Sequence, residues 1–162
     1  MDSSSHTEVL ILLAEVSVAV AGFAGIVGAI AKPTGETARA DLKALVAGAV
    51  GVLFFSLLAL VIAFFPISAD IFWRLMAACL SIYVIWYYLV NRQDIRFLLT
   101  SPRWIIVMAG DLLMLLVLLA TIGGMGFVGG AAVYLGSLLW ILSQTLVFFA
   151  LAMAALWQGG AE

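Results

Sequence analysis

Reactive side chains are scarce in this chain of 162 residues. One cysteine, Cys79, and one histidine, His6, stand far apart, and charged residues make up only 10% of the sequence. A single cysteine excludes an intramolecular disulfide. One histidine and one distant cysteine exclude a zinc site of the Cys/His kind. Cys79 lies inside an apolar run, where a lone thiol is a small apolar filler. His6 lies in the polar N-terminal tail and reads as solvated. The chain has no G-x-S-x-G, no P-loop, no H-E-x-x-H and no Ser/His/acid set spaced for an intramembrane protease. No catalytic centre, metal or cofactor is therefore expected. A net charge of −2 gives no argument for nucleic acid. Proline occurs only three times, at Pro33, Pro66 and Pro102, which leaves long stretches free of helix breakers.

What the chain has in excess is apolar surface: 66% hydrophobic residues and a mean hydropathy of +1.26. Soluble domains carry about 25% charge. A water-soluble fold of this size has no interior large enough for this much apolar surface, so the class is an integral membrane protein. A spanning helix takes about 20 apolar residues. Five segments qualify, at about 8–31, 42–65, 70–90, 103–122 and 131–157. The expected fold is an all-α polytopic bundle in one transmembrane domain.

Each break has a mechanism. KPTGETARADLK (32–43) holds Pro33, Gly35 and five charges. PISAD (66–70) offers a proline and caps at Ser68 and Asp70. NRQDIRFLLTSPR (91–103) ends on Ser101 as an N-cap with Pro102 at the first helical position. GGMGFVGG (123–130) has five glycines in eight residues, which suits a tight apolar hairpin in which glycine takes a positive φ. The stretch TIGGMGFVGG fails the T-V-G-Y-G pattern of a potassium filter, because Met125 stands where the final glycine belongs. Ser5 and Glu8 form an S-x-x-E capping box before the first apolar run, and no cleavage pattern precedes it, so the first helix is expected to begin near Ser5 and to remain.

Basic residues set an expected orientation. Lys32, Arg39, Lys43, Arg92, Arg96 and Arg103 flank one side, and only Arg74 of the seven lies on the other. This positive-inside pattern predicts an outside N-terminus and a cytoplasmic C-terminus, with a bacterial inner membrane as the expected location. Five spans satisfy the parity; if only four crossed, the first, the least bulky, would be the exception. Trp86, Tyr87, Tyr88, Trp104 and Trp157 gather near the inner ends, and Phe72, Trp73 and Tyr134 near the outer ends, as aromatic belts do. Arg92, Arg96 and Arg103 are candidate contacts for anionic headgroups.

The first helix carries the most informative pattern. At 100° per residue, Val9, Leu12, Val16, Val20, Phe23, Val27 and Ile30 form a bulky stripe. Ser17, Ala21, Gly22, Ala24, Gly25 and Gly28 provide small positions for close helix packing, within the chain or about an oligomer axis. Glu15 flanks this face and is expected to point toward protein, because a charge at mid-membrane costs about 2.5–3.5 kcal/mol. By height, Glu15, Gln144 and Ser56 share one layer, and Asp111, Ser81 and Tyr83 another. Arg74 has Asp70 as a partner four residues away, with Glu15 as its other candidate. The leading expectation is a small homo-oligomeric channel or transporter for a cation or protons, with Glu15, Asp111 and Gln144 on its path. The alternatives are a non-conducting scaffold or accessory subunit that packs on a membrane-protein partner through the first helix, and a lipid-handling enzyme with a polar cavity near Asn91, Arg92 and Arg96. In every case the lipid bilayer is the solvent.

Overall fold

The structure, a computed structural model, describes residues 3–30, 36–92, 102–125 and 129–159. All five expected segments are helices: α1 Ser3–Ile30, α2 Glu36–Ile62, α3 Ala69–Val90, α4 Pro102–Ile122 and α5 Gly130–Gly159. Each contains a stretch long and apolar enough to cross a membrane. This is the consequence expected of a chain whose backbone N–H and C=O groups find no partners in hydrocarbon and must pair within their own segment.

The ends refine the sequence boundaries. α1 begins at Ser3, so Ser5 lies within the helix and is not its cap. α2 begins at Glu36, six residues before the expected start; Glu36–Arg39 extend the helix beyond its apolar stretch, Ala40–Ile62. It ends at Ile62, three residues early, because Pro66 disfavours helical backbone at Phe65. The final turn tightens there, with Phe64 N–H donating to Val61 C=O at 3.3 Å and Phe65 N–H to Ile62 C=O at 3.0 Å. Ser68 occupies the N-cap position of α3 with extended backbone, but its hydroxyl makes no capping bond. Asp70 is not the cap and contributes its charge to the first turn, where a helix favours an acid. Pro102 opens α4 as expected, and Ser101 lies outside the described residues.

The helices divide into two compact units, Met1–Leu58 with Leu138–Glu162, and Ala59–Ser137. In the first, each helix contributes a stripe at three- and four-residue spacing: Leu10, Leu13, Ala14, Ser17, Val20 and Ala24 on α1, Leu45, Ala49, Val52 and Ser56 on α2, and Leu138, Leu142, Thr145 and Phe148 on α5, all buried. Gly48 lets α2 and α5 approach closely: the Thr145 hydroxyl sits where a side chain on Gly48 would begin, and Thr145 Cβ would be 3.4 Å and Ile141 Cγ2 3.7 Å from that point. Phe23 meets Phe149 with ring centres 5.9 Å apart.

In the second unit α3 packs along α4. The buried residues are Phe72, Met76, Ala77, Leu80, Ser81 and Val84 on α3, and Trp104, Met114, Leu118 and Thr121 on α4. The start of α5 joins them at Gly130, where an added Cβ would fall 2.8 Å from Trp73 Cβ, and Trp73 lies 5.8 Å from the fully buried Tyr134 ring. Phe72, Trp104 and Tyr134 are thus packing residues and not exposed belt residues; in lipid, aromatic area is better used against protein wherever a neighbour is close. Trp86 remains exposed, as a belt residue is, and the Trp157 side chain lies outside the described residues.

The glycine-rich stretch after α4 begins as its composition predicts, with 126–128 outside the described residues. Gly124 takes φ +77°, and Met125 N–H returns to Ala120 C=O at 3.0 Å while Gly124 N–H returns to Thr121 C=O at 3.1 Å. This is a Schellman ending, which uses a left-handed glycine to satisfy the last carbonyls of the helix. The close approach at Gly48 predicts that Gly48→Val destabilises the protein by about 1–3 kcal/mol through overpacking. Gly136, also helical but with nothing within 4 Å of an added Cβ, should accept Ala with no loss or a gain of up to about 1 kcal/mol. Thermal unfolding of both variants in detergent checks the contrast.

Candidate functional site

Most polar side chains in the spans are used by their own helix. The hydroxyls of Ser17, Ser81, Thr121, Ser137 and Thr145 donate to the carbonyl four residues earlier, at 2.6, 2.8, 2.9, 2.8 and 2.8 Å, and Ser143 donates to Trp140 C=O at 2.7 Å. Such bonds satisfy a hydroxyl without any partner helix. Ser56 differs. It is fully buried in the first unit, and its hydroxyl makes no hydrogen bond. It therefore bonds neither Glu15 nor Gln144, and the expected layer of Glu15, Gln144 and Ser56 does not form a bonded group. Gln144 is half-buried on α5.

Asp111 is brought to a partner. It lies on α4 on the same stripe as Trp104, Met114 and Leu118, half-buried, and accepts a hydrogen bond from the Tyr88 hydroxyl of α3. Of the expected companions, Ser81 donates to Ala77 C=O instead. Side chains lean toward the N-terminus of their helix. In this pair Tyr88 therefore reaches back along α3 from its C-terminal end, and Asp111 leans toward it from the middle of α4. Heights counted from backbone positions alone miss this meeting. The periodicity does contain the signal, since Ala77, Ser81, Val84 and Tyr88 fall on one face of α3.

Arg74 donates to Asp70 at 2.9 Å, one of the two partners considered for it. Its guanidinium also lies 3.4–3.6 Å from where a Gly124 side chain would begin, against the C-terminal end of α4, where a helix favours positive charge. Asn91 closes α3: its side-chain amide donates to Tyr87 C=O at 2.9 Å. Arg92 is exposed, Arg96 lies outside the described residues, and the Arg103 side chain does also, so the proposed headgroup cluster has only Arg92 in view. Among the described residues no three His, Cys, Asp or Glu come together as a metal site.

Glu15 is the outlier. It is the eleventh residue of the 22-residue span Ser5–Ile26, and it is exposed on the outside of the chain. The expectation that it points toward protein is overturned within the chain. Its direction follows from the buried stripe: Leu10, Leu13, Ser17, Val20 and Ala24 are centred about 180° around the helix from it. Small residues lie on both sides of α1, and the side bearing Ala14, Ser17 and Ala24 is the one that packs inside the unit. Ala21 is half-buried between the two. Gly22 and Gly25, expected to be packing positions, are exposed with nothing within 4 Å of an added Cβ. The surroundings of Gly28 lie outside the described side chains. Glu15 makes no hydrogen bond or ion pair among the described residues.

Among the described residues the chain is all-helical, with five helices long and apolar enough to cross a membrane. Comparison with protein families, with curated proteins and with solved structures finds no match to it.

The Tyr88–Asp111 bond gives a direct test. Tyr88→Phe removes one hydrogen bond to the half-buried carboxylate and is expected to destabilise the protein by about 1.5–3 kcal/mol, the range for a hydrogen bond to a charged group. Asp111→Asn keeps an acceptor oxygen and should lose less. Thermal unfolding of the two variants in the same detergent decides the order.

Proposed function

We propose that the protein is a non-conducting accessory subunit of the membrane, which joins other transmembrane helices through the outer face of α1. One observation carries this reading: a carboxylate at mid-span, Glu15, is exposed and unpartnered beside two glycines that pack against nothing within the chain. Lipid gives no compensation to such a group, whereas an adjoining helix does. Small residues on the same face allow that helix to come close. In this reading the termini follow the positive-inside pattern, N-terminus outside and C-terminus cytoplasmic, in a bacterial inner membrane.

A second reading, conduction of protons or a cation through a homo-oligomer, draws on the same exposure of Glu15, because only an outward-facing acid becomes a ring around a symmetry axis. The Tyr88 hydroxyl on Asp111 favours the first reading, since it gives that acid a structural task.

Native electrophoresis of particles extracted mildly from membranes tests assembly. Gly22→Leu should reduce the assembled fraction at least fivefold, while Val117→Leu, on the exposed surface of α4, should leave it unchanged. Equal particle sizes for both would sink the proposal. Proteoliposomes of the protein alone should stay sealed to protons and potassium; a leak abolished by Glu15→Gln would select the conduction reading instead.

A further inference from the structure

The outer face of α1 also states what kind of helix it accepts. Glu8, Glu15 and Gly22 recur every seven residues, within about 20° of a single line along the helix, and Ile11, Ala19 and Ile26 fill the seam between them. All six are exposed. The seam thus offers apolar contact along its length, an open position at Gly22 and one negative charge at the middle of the span.

We infer that this seam is occupied by a transmembrane helix of another protein, one that carries a lysine or arginine at mid-span. The inference rests on the assembly reading above and adds the partner's chemistry. Charge complementarity is the reason. A second copy of this chain inserted in the same sense presents its own Glu15 at the same depth, which brings like charges together in a medium that screens them weakly. Nor does a copy supply a cation there. Six of the seven basic residues, Lys32, Arg39, Lys43, Arg92, Arg96 and Arg103, lie outside the apolar stretches or at their ends, and the seventh, Arg74, is paired with Asp70. A lysine or arginine from a different helix compensates Glu15, and Glu15 compensates the intramembrane cation in turn, so each makes the other's position in the membrane tolerable.

The test uses the full chain in phosphatidylcholine vesicles, labelled at a terminus, with labelled synthetic 21-residue Leu/Ala helices as partners. One helix carries a central Lys, a second a central Glu and a third a central Leu; a central residue reaches the depth of Glu15 in either orientation. Energy transfer is expected to show the Lys helix binding at least tenfold more tightly than the Leu helix, and Glu15→Gln should remove that advantage. Glu15→Lys should reverse the preference toward the Glu helix, a rescue that loss of folding would not produce. Gly22→Leu should weaken binding of the Lys helix. Equal binding of the Lys and Leu helices by the wild type overturns the inference; if Gly22→Leu still blocks both, the assembly reading survives it. Self-association of an Ala19→Cys variant with Cys79→Ala, trapped by cross-linking through position 19 and unaffected by the Lys helix, also overturns it, making a second copy the occupant. If no helix binds and Gly22→Leu leaves native particles unchanged, both this inference and the assembly reading fall.

Discussion

Hydrocarbon offers no hydrogen bonds, and a chain with five helices apolar enough to cross a membrane has to satisfy its polar atoms under that constraint. The backbone meets it by being helical. The hydroxyls of Ser17, Ser81, Thr121, Ser137 and Thr145 meet it by returning to carbonyls of their own helix. Charged groups turn to other side chains. Asp111 therefore draws on Tyr88 of the neighbouring helix, and Arg74 on Asp70 one turn away. Against this background Ser56 and Glu15 stand out for opposite reasons. Ser56 is enclosed and has nothing to bond, a cost of about 1–3 kcal/mol carried inside the first unit. Glu15 is exposed and bonds nothing among the described residues, which is why the proposed assembly gives it a partner from outside the chain.

The glycines show how one residue type serves separate physical ends. Gly48 and Gly130 are interior, and each occupies a point where another side chain already stands. Without a hydrophobic drive between helices, close approach of this kind supplies the dispersion that holds a membrane bundle together. Gly124 is needed for its backbone, because a positive φ closes the end of α4. Gly22 and Gly25 serve neither end within the chain, and their value lies on the surface they leave open.

Periodicity made much of this legible. Five long apolar helices, the break at Pro66, Pro102 at a helix start and a positive-φ glycine after α4 were all readable, because each follows from local chemistry. The pairing of Arg74 with Asp70 was readable as well, since it joins residues four apart on one helix. The bond between Tyr88 and Asp111 was not read, although both residues lie on buried stripes. It joins two helices, and it depends on side chains leaning toward each other.

The sequence by itself determined that this chain has five long apolar helices among its described residues, with a carboxylate at the middle of the first and another in the fourth, because composition and spacing act within a single segment. Only the tertiary structure decided which way those carboxylates face. α1 has small residues on two sides, either of which could pack, and the fold took the side with Ala14, Ser17 and Ala24. That choice turned Asp111's counterpart, Glu15, outward with Gly22 and Gly25, since residues on a helix rotate as one body and burying one face exposes the opposite one.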